Sequence, residues 1–161
     1  MRKLWPFVAI ALVLTLGTQI VSAEDTPMTP VMISLWTPAQ APAENYDVKG
    51  LRIDLFYGRC QKLYGLDLGL VNHTVKEEVG LAFGLVNYDE SKFTGLHIGG
   101  VNIGARVSAL QVGFYNEADD MSGVQIGLIN HTRMMRGVQI GLINVIENND
   151  IPFLPIVNFF F

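Results

Sequence analysis

Gly123-Val124-Gln125-Ile126-Gly127-Leu128-Ile129-Asn130 recurs unchanged as Gly137-Val138-Gln139-Ile140-Gly141-Leu142-Ile143-Asn144, and weaker copies fill most of the chain. Periodicity has to be settled before any one residue is read for chemistry, because a residue fixed by its place in a repeat needs no catalytic explanation. The asparagine that closes each copy sets the period. Asn72, Asn87, Asn102, Asn116, Asn130, Asn144 and Asn158 differ by 15, 15, 14, 14, 14 and 14 residues, and Tyr57 holds the same place one period earlier. This spacing predicts eight units of 14–15 residues. Each reads Gly, apolar, variable, apolar, Gly, apolar, apolar, Asn, followed by a connector.

The glycines of the phrase are the other fixed positions: Gly65 and Gly69, Gly80 and Gly84, Gly95 and Gly99, Gly123 and Gly127, Gly137 and Gly141. Gly50 opens the first copy, and Ala109 and Ile151 depart from the pattern. Leu66, Leu68 and Leu70, like Val124, Ile126 and Leu128, lie at period two and share one face of a strand. The opposite face carries the glycines and, between them, a variable residue: Asp67, Ala82, His97, Gln111, Gln125 or Gln139. Helix is disfavoured, since each glycine in a helix interior costs about 1 kcal/mol. The fold class is all-β.

Two architectures use such a repeat. In a parallel β-solenoid each period is one coil, equivalent positions stack at about 4.8 Å, and the asparagines form a ladder. In an antiparallel eight-stranded meander or barrel each period is one strand and a turn. The solenoid is favoured. It explains why the same residue recurs at the same place, it absorbs one-residue length changes in a corner, and the connectors lack the Asn-Gly and Asp-Gly pairs of two-residue hairpins. The solenoid reading expects the Leu/Ile/Val face, including Leu66, Leu68, Val124, Ile126, Val138 and Ile140, to be buried within the protein. The barrel reading draws on the closing Phe159-Phe160-Phe161 and on an apolar face that would meet lipid.

Arg2 and Lys3 before the apolar run Phe7 to Leu16, with Val21-Ser22-Ala23 behind it, have the form of a secretory signal peptide cleaved after Ala23. The expected organisation is a signal peptide over 1–23, a Pro-rich leader with a short capping strand over 24–47, and the β-repeat domain over 48–161. Removing the signal leaves 9 Lys and Arg against 15 Asp and Glu, a net charge of −6 that argues against nucleic acid as a partner. With Cys60 the only cysteine, no internal disulfide can form.

No catalytic, cofactor or metal site is expected. His73 and His131 are four repeats apart, about 19 Å in a stack, and with His97 they read as surface residues of the connectors. Cys60, in Gly58-Arg59-Cys60-Gln61-Lys62, lacks the second glycine of a Gly-x-Cys-x-Gly nucleophile elbow and reads as an inert or partly exposed thiol. The acidic residues Glu77, Glu78, Asp89, Glu90, Glu117, Asp119, Asp120 and Glu147 do not share one column as calcium-binding turns would, and read as solvated turns.

The Gly-x-Gln-x-Gly-x-x-Asn phrase together with Leu154-Pro155-Ile156-Val157-Asn158-Phe159 resembles the exported surface repeat proteins of Gram-negative bacteria, over residues 48–161. That resemblance implies a bacterial origin and a place in the periplasm, outer membrane or cell surface, and brings no catalytic residue with it. The functional expectation is a non-enzymatic envelope protein acting as scaffold or binding face, with a small outer-membrane barrel as the alternative. The partner itself stays unnamed.

Overall fold

A computed structural model describes residues 26–161. The signal peptide expected over 1–23 lies outside them. The described chain is all-β: β1 (Met28–Trp36), β2 (Ala39–Ala41), β3 (Asp47–Ile146) and β4 (Phe153–Phe160) form one sheet in the order β2-β1-β3-β4. The sheet is open and mixed in direction, so the closed eight-stranded barrel is not the fold. Nor is the array a wholly antiparallel meander, because β1 runs parallel to β3, with Met28 beside Asp47, Met32 beside Arg52 and Ser34 beside Asp54.

A straight β-path of 100 residues would reach about 330 Å. Instead β3 is laid on itself at the period of the repeat. Asn72 Nδ2 donates to Asn87 Oδ1 at 2.8 Å, Asn87 to Asn102 at 2.7 Å, and Asn102 to Asn116, Asn116 to Asn130 and Asn130 to Asn144 at 2.8 Å each. Each of these amides except Asn72 and Asn144 therefore both accepts and donates within the column. Gln139 Nε2 donates to Gln125 Oε1, and Gln125 Nε2 to Gln111 Oε1, both at 2.8 Å, in a second column.

The glycines of the phrase make this stacking possible. Gly137 has φ +147°, and a Cβ there would overlap the carbonyl oxygen of Gly123 one period earlier. At Gly127 a Cβ would stand 2.6 Å from the Nδ2 of Asn116, inside the asparagine column. One glycine lets backbones approach, and the other leaves room for the ladder.

The two strand faces are reversed from expectation. Gln111, Gln125, Gln139 and the asparagines from Asn72 to Asn144 are buried, whereas Ile126 is 39% exposed, Ile140 42% and Leu142 67%. The Leu/Ile/Val face thus points outward and the glycine face inward. A polar interior is tolerable because the ladder amides hydrogen-bond to one another and to backbone carbonyls, as Asn116 Nδ2 does to Ile126 O at 3.0 Å. Small apolar clusters complete the inside. Met32, Val48, Cys60 and Leu63 form one, and Phe93, Val107, Ala118, Met121, Met135 and Ile146 form the other.

Both ends depart from the spacing. Tyr57 is not a rung of the asparagine column. It lies on the outside in an aromatic row with Trp36, His73 and Tyr88, and Asn72 Oδ1 is left without a donor. Asn158 is not an eighth rung either, because β4 runs antiparallel to β3 and sets Asn158 opposite Gln139. There it is buried, with Nδ2 donating to Pro152 O at 3.1 Å.

Candidate functional site

Two features stand out against the repeat: an outer surface without charge and an ionisable cluster inside. Flanking the glycines, the outward positions are Leu66, Leu68, Leu70 and Val71 in one unit, Val124, Ile126, Leu128 and Ile129 in another, and Val138, Ile140, Leu142 and Ile143 in the next. From Leu51 to Ile143 none of these places holds a charged residue. Val112, Phe114, Ile126 and Leu128 line a shallow apolar groove there. Trp36 extends this surface at one end, and Phe159 and Phe161 at the other, all more than half exposed. Charge on the outside is confined to the connectors, where Lys92, Arg106, Asp119, Asp120, Arg133 and Arg136 are exposed.

The interior is ionisable towards the N-terminal end and neutral towards the C-terminal end. Arg52 is fully buried and grips Asp67 through two nitrogens, Nε donating to Oδ1 at 2.7 Å and Nη2 to Oδ2. Its Nη1 donates to Cys60 Sγ at 2.8 Å and to His73 O at 3.0 Å. One guanidinium cannot neutralise two carboxylates. Asp54, 3.0 Å from Arg52 Nε, is pushed up to about 7 by burial, which outweighs the pull of Arg52. Burial also drives the Cys60 thiol up to about 12.

Further along the interior, Glu78, Asp89 and His97 are all buried, with ligand-type atoms within 4.8 Å of one another. His97 Nε2 is 3.0 Å from Asp89 Oδ2 but not aligned for a hydrogen bond. Both ring nitrogens of His97 lack a hydrogen-bond partner, and Oε1 of Glu78 and both oxygens of Asp89 have no donor other than a proton shared between the two carboxyls. Glu78 Oε2 accepts from Thr74 Oγ1 at 2.9 Å. Burial raises Glu78 well above its usual range and Asp89 to about 8, and lowers His97 to about 4.

Several sequence expectations are corrected here. His97 is no surface residue, and its ring stacks on Phe93 with centroids 3.4 Å apart. His73 is half-buried, bonded to Tyr57 OH at 2.7 Å and Glu90 at 2.7 Å, while His131 remains near the surface beside Glu147. Glu78 and Asp89 are not solvated, unlike Glu90, Asp119, Asp120 and Glu147. Cys60 is wholly buried rather than partly exposed.

The signal that sequence reasoning missed is a break in three columns. Glu78 occupies the place held by Leu63, Phe93, Val107, Met121 and Met135 in other periods, and Asp89 the place held by Thr74, Gly104, Ala118, Thr132 and Ile146. His97 stands where Gln111, Gln125 and Gln139 follow. No known protein family, curated protein or solved structure matches the chain.

Proposed function

We propose that the chain is an exported, non-enzymatic envelope protein of a Gram-negative bacterium, folded as a parallel β-solenoid, whose uncharged outer sides dock on the hydrocarbon surface of a membrane leaflet. The solenoid rests on the in-register amide columns and on the glycine-to-glycine approach at the repeat period. Export rests on the Arg2-Lys3 start, the apolar run and the Val-Ser-Ala site, and the envelope on the resemblance to surface repeat proteins.

The observation that carries the docking is the outward Leu/Ile/Val surface, continuous over the array and free of charge. A monomer in water rarely shows so large an apolar patch. Protein interfaces carry a polar rim and about one hydrogen bond per 100–200 Å², which a surface with almost no hydrogen-bonding side chain cannot supply. Lipid asks for none, and the backbone groups of stacked strands satisfy one another except at the ends. The charged connectors keep the remaining side in water. A non-enzymatic role fits the burial of Cys60 and of the Glu78, Asp89 and His97 cluster, which no substrate reaches from outside.

Flotation of the mature chain with phosphatidylethanolamine–phosphatidylglycerol vesicles tests this. Co-flotation is expected, with an at least tenfold loss in the Ile126→Asp, Ile140→Asp double variant while its strand-type circular dichroism is retained. A folded wild-type chain left in the aqueous fraction as a monomer overturns the docking. Vesicle-independent dimers broken by the same double variant would assign the face to a second copy.

A further inference from the structure

We propose that Glu78, Asp89 and His97 are the ligands of one buried divalent transition-metal ion of the zinc type. Three successive units supply one side chain each, and their atoms converge within 4.8 Å. A zinc ion bound tetrahedrally at about 2.0–2.2 Å to oxygen and nitrogen holds its ligand atoms about 3.3–3.6 Å apart, a separation that small side-chain adjustments within this 4.8 Å span can reach. The set is also chemically apt, since two carboxylates and an imidazole are the oxygen and nitrogen donors that zinc accepts.

A divalent cation also matches the set in charge: as ligands the two carboxylates would be deprotonated and the imidazole neutral, a charge of −2 that one such ion cancels. Arg52 cannot do so, because it is already held by Asp67. Without an ion, both ring nitrogens of His97 are sealed from water with no partner, an arrangement that natural interiors avoid, and the Glu78 and Asp89 carboxyls meet little beyond Thr74 and each other. Thr74 donates to Glu78 Oε2 and leaves Oε1 free to bind, the kind of outer contact that orients a metal ligand.

The repeat itself could have supplied harmless residues. An apolar side chain continues the Glu78 column, and a glutamine continues that of His97. His97 even interrupts a hydrogen-bonded column, for the Nε2 of Gln111 has no acceptor where a glutamine at 97 would offer one. The neighbouring places step down to Ala82 and Gly104, which leaves the convergence uncrowded. Because the ligands are sealed, the ion enters as the chain folds, so binding and folding are coupled.

The test uses the full mature chain, unfolded in guanidinium with EDTA and refolded by dialysis with or without zinc chloride, with metal content read by mass spectrometry after gel filtration. About one zinc per folded chain is expected, together with a higher Tm than the metal-free protein. His97→Gln and Glu78→Leu, which restore their columns and so favour folding, should retain less than a tenth of the zinc and show a Tm indifferent to it. Cobalt in place of zinc should give visible absorption in the wild type alone. Folded wild type that carries less than a tenth of an ion per chain overturns the proposal. Zinc retained equally by both variants overturns it too, by placing the ion elsewhere. If the wild type folds only on export, the same measurement on protein purified from zinc-supplemented cells decides between these results.

Discussion

Asn116 donates from Nδ2 to Asn130 Oδ1 at 2.8 Å while its own Oδ1 accepts from Asn102 Nδ2 at the same distance, so one buried side chain joins three periods of the repeat. Its Nδ2 also reaches Ile126 O at 3.0 Å. Replacing it by Leu strands a donor on Asn102 and an acceptor on Asn130. Each buried group left unsatisfied costs about 1–3 kcal/mol, so Asn116→Leu is expected to lose about 2–6 kcal/mol. Asp120→Ala, exposed in a connector, should stay within about 0.5 kcal/mol. Urea titrations of the two variants make the comparison, and equal losses would remove the ladder from the account.

Asp54 gives the fold a pH dependence of definite sign. Its carboxyl sits at about 7 in the folded chain against an ordinary value of 3.8. Between these values the folded state holds a proton that the unfolded state has released. The stability it contributes is full below about 4, and is lost as pH rises to about 7. Asp54→Asn keeps the neutral form at every pH. Its unfolding free energy should therefore fall less steeply than that of the wild type between pH 4 and 7, as read from urea midpoints across that range. A variant with the same or a steeper slope would show that Asp54 stays ionised beside Arg52.

The period was legible in the sequence because equivalent places in a stack impose the same steric demand, above all at Gly123 and Gly137, where a backbone approaches from the period before. Which face turns inward was not. Alternation at period two is unchanged when the two faces are exchanged, and the rule that apolar residues go inside chose the wrong one. The interior holds a hydrogen-bonded row of Asn and Gln in its place, which leaves Leu, Ile and Val outside. Asn158 misled for another reason. Its spacing matches the repeat, yet the chain reverses direction around Pro152 before β4 pairs with Gly137–Val145, and Pro155 sits at the register shift within that pairing. Glu78 has the look of a solvated turn as long as the acidic residues of the connectors are compared only with one another, since they share no column. Comparison down the column with Leu63 and Phe93, rather than along the chain, marks it as buried.

Cys60 provides a kinetic check on the packing. It is sealed with Leu63, Met32 and Val48, and its thiol is held up to about 12. Since the thiolate is the reactive form, iodoacetamide at pH 8 should leave the folded chain unmodified for hours and alkylate it within minutes in guanidinium. Mass spectrometry counts the adduct. Rapid labelling of the folded protein would mean that this first apolar cluster is open.

Pairs of spin labels read the stacking most directly. Ile140 with Ile126, Val112, Ile98, Phe83 or Leu68 places labels one to five periods apart in one outward column, in a chain whose Cys60 is replaced by Ser. Double electron–electron resonance between Ile140 and the more distant partners, with continuous-wave line broadening for the nearest, gives the separations. A parallel stack sets them rising by about 4.8 Å per period, to about 24 Å between Leu68 and Ile140. A separation that levels off or shortens as periods are added would contradict the stack and, with it, the polar interior and the outward apolar face.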